Sequence, residues 1–356
     1  MTKKQIARVV AFFMVMICMF LFLSDVFQNR TNRRSLTSTR TYYSLEKDTL
    51  DVAVLGTSGI DRYWLAAKAF EEEGIASYAF ATNHFPSWFI LPLAKDFSRR
   101  HDDLKLLVID MRPFTASYTG AKLERFEERA RIGSEALPVF SRTRFEAINR
   151  SLKIISENVE GTSRFDLSYY FTFIKHHSRW SEDDFDLYNE IEYKTSEYMS
   201  AYMHSYFSVT TVEEPVTTVK TDKRSPIDTV CLENLYELFD YFEKQDYEVL
   251  FLNTPHSHSQ LEAERINYLC DVLDKEGYKY INYDLDGSIY DLKNDFYNPE
   301  HANYYGAEKF TDVFADYLLE NYELTDRRGD ERYYQWEGTY ANIKSSIAKW
   351  AAKRNS

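Results

Sequence analysis

The residues of this chain best suited to chemistry are a serine and a histidine in two distant segments. Asp51-Val52-Ala53-Val54-Leu55-Gly56-Thr57-Ser58-Gly59 reads as a buried strand that stops at Ser58. Gly56 and Gly59 leave room there for a tight turn and a close substrate. Asn298-Pro299-Glu300-His301-Ala302-Asn303 puts His301 on a loop just ahead of a helix whose N-cap is Asn303. A serine on a strand-to-helix turn presents its hydroxyl at a sheet edge, and a loop histidine can take its proton. Those are the parts of a serine esterase or acyltransferase. Each residue also has a plainer use, Ser58 as a helix N-cap and His301 as a surface or capping side chain. The Gly-x-Ser-x-Gly elbow of α/β-hydrolases is absent.

Two further histidine groups stand out. His256 and His258 follow Pro255 on a loop at a strand end, where they could contact substrate. Metal binding would need a third ligand such as His301, and a polar loop is the simpler reading. His176-His177 with Arg179 and Trp180 could contact a sugar or an anionic group, or could simply end a helix with Trp180 packed inside.

The elements that must position these residues alternate in type. Val52–Leu55, Ser77–Ala81 and Leu104–Asp110 read as strands, separated by helical patterns from Ser58 to Gly74 and from Trp88 to Phe97. This βαβαβ order predicts an α/β fold, a three-layer doubly wound parallel sheet with its site at the carboxyl ends of the strands. Residues 115–230 break the pattern and read as a mostly helical insertion. It holds charged helices (Leu123–Arg131, Phe145–Val159), an aromatic patch (Phe165–Ile174) and a Thr/Val-rich hairpin (Val209–Lys220). The α/β pattern resumes with helix Cys231–Glu243, strand Glu248–Asn253, helix Leu261–Glu276, strand Tyr280–Tyr283 and helix Tyr304–Glu320. A charged tail from Thr325 carries a surface helix over Ile343–Ala352.

At 356 residues with 44% hydrophobic content, the chain can bury a large core. A net charge of −13 argues against nucleic acid as a partner. Three cysteines make no disulfide framework. Cys231 and Cys270 could pair outside the cell, but two buried free thiols are the favoured reading. Lys3, Lys4 and Arg8 lead an uncharged run from Val9 to Leu23, extendable to Phe27, without a following Ala-x-Ala site. Residues 1–27 therefore read as a cytoplasmic tip and retained transmembrane anchor, 28–47 as a polar linker, 48–340 as the α/β domain and 341–356 as a tail. The expected location is the cell membrane, single-pass, with the catalytic part extracellular.

Leu55-Gly56-Thr57-Ser58 resembles the Gly-x-Ser block of SGNH/GDSL-type hydrolases. Asp295-Phe296-Tyr297-Asn298-Pro299-Glu300-His301, with Asn303-Tyr304-Tyr305-Gly306-Ala307-Glu308-Lys309, resembles their closing Asp-x-x-His block. Phe251-Leu252-Asn253-Thr254-Pro255, the His177–Trp180 patch and Asp326–Asp330 with Trp336 look similar to a subgroup of membrane-anchored bacterial proteins that move acyl groups onto cell-envelope polymers. The likeness spans roughly 48–340. It implies Ser58 as nucleophile, His301 as base, and Asn298 or Asp295 as the residue holding the imidazole. Oxyanion donors would be the Gly59 (or Ser58) N–H, Asn83 and Arg112. His177, Arg179, His256 and His258 are candidates for substrate contact, and no metal or cofactor is required. The sequence departs from the family at Asn298, where an aspartate is expected, and at Asp110-Met111-Arg112, where an oxyanion asparagine is expected. Arg112 could donate there or pair with Asp110; Asn83 could equally be a turn residue. The expected partners are an acylated glycan or cell-wall polymer and a membrane O-acyltransferase. The rival expectation is a module that has lost catalysis and binds glycan or docks on such an acyltransferase; a purely structural envelope protein is the third.

Overall fold

The computed structural model describes residues 1–27, 33–82, 86–118, 121–182, 185 and 209–354. It begins with α1 (Lys3–Val26), in which no residue before Ser24 is buried. Its stretch Lys3–Ser24 is long and apolar enough to cross a membrane, as in a signal anchor or a signal sequence.

The polar stretch expected as a linker is helical over α2 (Arg33–Ser44). Tyr42 is wholly buried, edge-on to Phe80 at 5.4 Å, and Ser38 offers its carbonyl to the Tyr78 hydroxyl. The buried face is built largely from Ser35, Ser38, Thr39 and Thr41, so no apolar period marks it in the sequence.

From there the chain runs β1 (Val52–Gly56), the short α3 (Ser58–Asp61), α4 (Ala66–Glu73) and β2 (Ser77–Ala81). The single helix expected from Ser58 to Gly74 is broken in two; Gly74, at φ +73°, closes the second piece in the left-handed region that favours glycine. Next come α5 (Ile90–Arg100), β3 (Leu106–Asp110) and the one-turn α6 (Arg112–Thr115). The insertion supplies α7 (Ala121–Ala136), α8 (Arg142–Asn158), α9 (Leu167–Tyr170) and α10 (Thr172–His176). The fold then continues through α11 (Thr229–Phe242), β4 (Glu248–Asn253), α12 (Gln260–Glu276) and β5 (Lys279–Asn282). A small antiparallel pair, β6 (Phe296–Asn298) with β7 (His301–Ala302), leads into α13 (Tyr304–Asn321) and α14 (Thr339–Arg354).

Strands β1 to β5 form one parallel sheet in the order β2-β1-β3-β4-β5. Continuous apolar runs such as Leu106–Ile109 fit strands buried on both faces. Ala53, Leu55, Leu107, Ile109 and Phe251 face the layer of α2, α5, α11 and α12. Val52, Val54, Leu106, Val108, Leu250 and Leu252 face the layer of α4, α13 and α14. Because β2 and β3 flank β1, the strand order reverses there, and the carboxyl ends of β1 and β3 open a crevice.

The helical insertion packs on the first of these layers, α7 against α2 and α8 against α5. The buried Arg144 ties it together by donating to the carbonyls of Leu137 at 3.1 Å and Tyr169 at 3.2 Å. Val209–Lys220 is not a hairpin. Its Val212 and Val216 amides donate to Lys293 and Leu292 carbonyls at 3.3 and 2.8 Å, so it lies along the segment before β6. The helix expected on the surface starts earlier and is half-core, with Tyr340, Ile343 and Ile347 buried on the α4 side. Ahead of it, Arg327 makes two 2.7 Å bonds to the buried Asp51 carboxylate, and Trp336 Nε1 donates to the Ser77 carbonyl at 3.0 Å. Cys231 and Cys270 are separate buried thiols.

Candidate active site

Strand β1 delivers Ser58 to the crevice. Thr57, not Ser58, is the N-cap of α3: its hydroxyl accepts the Gly59 N–H at 3.2 Å. The Ser58 hydroxyl is thereby left out of the capping role that its position suggested. Thr57 is itself held by Asp110 at the end of β3, whose Oδ2 accepts the Thr57 N–H at 2.9 Å and its hydroxyl at 2.6 Å. The other Asp110 oxygen accepts the Arg112 N–H at 3.0 Å.

The hairpin β6–β7 delivers His301, not an irregular loop. His301 Nε2 lies 2.8 Å from Ser58 Oγ, and Nδ1 lies 3.0 Å from Asn298 Oδ1. Both Ser58 and His301 are buried, at 6% and 8% exposure. The same Asn298 oxygen accepts the Glu300 backbone N–H at 2.9 Å. A backbone N–H can only donate, so the amide atom it meets is the oxygen. Nδ1 facing that oxygen must carry the ring proton. Nε2 is then the basic nitrogen, aimed at the Ser58 hydroxyl. The ring is also stacked on Tyr297, with centroids 5.5 Å apart, and Arg62 sits over the far ring at 4.8 Å.

Asp295 is placed otherwise. It is buried, and its Oδ2 accepts Lys309 Nζ at 2.6 Å and the Asp291 N–H at 2.7 Å. Its carbonyl accepts the Asn303 N–H at 2.8 Å. This carboxylate anchors the entrance to α13, whose N-cap is Asn303 as expected.

Arg112 joins the pieces. Its guanidinium donates to Thr254 Oγ1 at 3.3 Å and to the Glu300 carbonyl at 3.1 Å. Thr254 in turn donates to the Gly59 carbonyl at 2.7 Å. One cation thus ties the serine turn, the end of β4 and the histidine hairpin. Its Nε is buried without a hydrogen-bond partner. Glycine at 59 is what lets the guanidinium approach: an added Cβ would stand 2.6 Å from Arg112 Nε. Tyr63 braces the loop after β4 through its hydroxyl, which donates to the Pro255 carbonyl and also lies 3.4 Å from the Glu300 carbonyl of the hairpin.

Thr57, Ser58, Arg112, His256 and Glu300 share a cleft of about 310 Å³ with Lys122, Glu262 and Arg265. His256 is buried, with Nδ1 2.7 Å from the Thr254 carbonyl and Nε2 3.2 Å from Glu262. Burial, then the charge of Arg112, pushes its pKa well below the usual range, so it lines the cleft as a neutral ring. His258 packs edge-on to it at 4.0 Å and contacts Thr218 at 3.1 Å. Among the described residues no group of three or more His, Cys, Asp or Glu is arranged to hold a metal ion.

The structure does not bring His177 and Arg179 to this cleft's lining. His177 is exposed, with Nδ1 3.1 Å from the Ile174 carbonyl. Arg179 is buried 3.5 Å from Glu182, and Trp180 points outward at 69% exposure. Asn83 lies outside the described residues. Sequence reasoning gave no site role to Asp110, Thr254 or Tyr63. An acid closing the apolar run Leu106–Asp110, and a threonine directly after β4, were the available signals.

Fold and site together define an α/β protein with a five-strand all-parallel sheet, a helical insertion and an apolar N-terminal helix. No protein-family model, curated protein or solved structure matches the chain.

Proposed function

We propose that the chain is a serine ester hydrolase or O-acyltransferase of the SGNH type, held at the membrane by α1 with its cleft on the outer side. The reading rests on one observation: the unbroken series Ser58 Oγ, His301 ring and Asn298 Oδ1, with contacts of 2.8 and 3.0 Å beside a cleft. Ser58 Oγ attacks an acyl carbonyl as its proton passes to His301 Nε2. The resulting imidazolium then protonates the leaving alkoxide. Water or a glycan hydroxyl takes the acyl group in the second half, with His301 again as base. The developing oxyanion is met by the Ser58 N–H, the first of α3 and so without an intrahelical acceptor, and by the Arg112 cation. The Gly59 N–H is already committed to Thr57. A cell-envelope or extracellular glycan ester is the substrate class that the resemblance suggests.

A second reading has a specific observation behind it. The group facing Nδ1 at this position is the neutral Asn298 amide, where the resemblance expects an aspartate. The chain would then be an SGNH-like module that binds glycan or docks on a membrane O-acyltransferase.

Hydrolysis of p-nitrophenyl acetate by the full chain in detergent separates the two. The enzyme reading expects turnover that Ser58→Ala and His301→Ala each abolish. Turnover unchanged in a folded Ser58→Ala protein rules it out. No turnover, with glycan binding that survives Ser58→Ala, favours the binding module.

A further inference from the structure

Among the described residues, the insertion meets the N-terminal helix along an aromatic patch. Phe20 of α1 stacks on Phe173 with centroids 5.6 Å apart and rings 5° from parallel, and it meets Phe171 at 5.8 Å. One turn on, the Ser24 carbonyl accepts the Thr172 hydroxyl. Phe27 stacks on Phe185 at 5.7 Å. Phe20, Ser24 and the C-cap residue Phe27 follow i, i+4, i+7, so one stripe of α1 and its cap makes all four contacts. Next to them, Ile174 and Trp180 are 41% and 69% exposed, with the exposed Lys175 between.

Depth along α1 tells what covers this patch. Lys3–Ser24 spans 22 residues. At about 1.5 Å per residue this matches a hydrocarbon core of about 30 Å. Phe20 therefore sits about 6 Å inside the outer end of the span. Side chains stacked on Phe20 lie at that depth too, where acyl chains meet headgroups. A tryptophan and a lysine beside apolar residues are what such an interface favours. No residue of α1 before Ser24 is buried by protein, so the surface continuous with the patch is itself one that lipid would cover.

We infer that α10 and the turn after it, through Phe171, Phe173, Ile174 and Trp180, form a foot that enters the outer interface of the bilayer beside α1. The inference rests on α1 remaining attached as the anchor. Helix and foot then fix the α/β unit at two points, which sets its orientation as well as its distance from the membrane.

The test uses the full chain in vesicles of phosphatidylethanolamine and phosphatidylglycerol. Trp64, Trp88 and Trp336 are buried in the α/β core and Trp350 is 43% exposed; all four are common to both proteins, so the difference between wild type and Trp180→Phe isolates the contribution of Trp180. Lipids brominated high on the acyl chain should quench the wild-type emission, and the difference from Trp180→Phe should disappear under that quenching. Aqueous iodide should reach Trp180 poorly. Trp180 quenched by iodide but not by brominated lipid overturns the foot. Trp180 silent to both places it against protein and overturns it as well. The mass of the membrane-bound chain separates the two claims. Loss of α1 defeats the anchor reading and the foot with it; an intact α1 with Trp180 unquenched by lipid defeats the foot alone.

Discussion

Asn298→Asp puts the charge back where a serine triad expects it. The Oδ1 of residue 298 lies 3.0 Å from His301 Nδ1 and is held there by the Glu300 N–H. Asparagine in such a position usually fails because its NH₂ group can turn to the ring and impose the wrong tautomer, at about 10⁴ in kcat. Here the Glu300 N–H selects the oxygen, so the tautomer is already correct and residue 298 differs from the expected aspartate in charge alone. A carboxylate about 4 Å from the centre of an imidazolium is worth about 4 kcal/mol at an effective dielectric near 20. Desolvating that carboxylate on a half-buried hairpin opposes this, leaving a net of roughly 1.4–2.8 kcal/mol, or about ten- to a hundredfold in kcat/KM. The new charge favours the imidazolium, so the acid limb of the pH–rate profile should move to higher pH. The assay is ester hydrolysis by wild type and variant across pH 4–9 (roughly the span of the histidine range in folded proteins), with melting curves to confirm equal folding. A folded variant with no gain and an unmoved acid limb would refute Asn298 as the residue that orients His301.

Three other perturbations have definite outcomes. Gly59→Ala would drive a methyl group to 2.6 Å from Arg112 Nε. It should cost about 1–3 kcal/mol of stability and lower the rate; full activity with normal folding would remove Arg112 from the catalytic set. Arg327→Ala strands the Asp51 carboxylate, which is 1% exposed. A loss of about 3–5 kcal/mol in urea titrations is expected, and Asp51→Asn in the same protein should recover part of it. His101 is buried with both ring nitrogens unpartnered, and burial, then Arg100, holds its pKa down to about 4. The unfolded chain, at about 6.5, binds a proton that the folded one refuses, so stability should fall by up to about 1.4 kcal/mol per unit as pH drops from 6.5 toward 4. His101→Leu should flatten that slope and leave the protein no less stable at pH 7; an unchanged slope would contradict the assignment.

Strands β1, β3 and β4 were legible because each holds a short, unbroken apolar run, whereas the short β6–β7 pair carries no such run. Ser58 and His301 were legible because they close one such run and precede a strongly periodic helix. What stayed hidden depended on contacts between distant segments. Nothing local says that Ser35, Ser38 and Thr41 face a core, since small hydroxyl residues satisfy their hydrogen bonds within or beside a helix. The break between α3 and α4 is likewise tertiary: the Leu65 N–H donates to Thr311 on α13 at 2.9 Å. The orientation of Asn298 is set by a backbone amide two residues on, which spacing alone does not reveal. Arg112 could be read as a cationic donor or as a partner for Asp110; its backbone N–H does meet Asp110, while its guanidinium reaches the histidine hairpin.

The clasp of Arg327 on Asp51 gives the protein a schedule. Its two ends are 276 residues apart in the chain, and Trp336 closes a second span of 259 residues onto Ser77. Strands β1 and β2 therefore wait for residues synthesised long after them. A polypeptide emerging vectorially would carry its serine turn on an unclosed sheet until Arg327 and Trp336 arrive. Nascent chains stalled before Asp326 should accordingly be cut readily by protease in the β1–α5 region, and chains stalled well past Trp336 should resist.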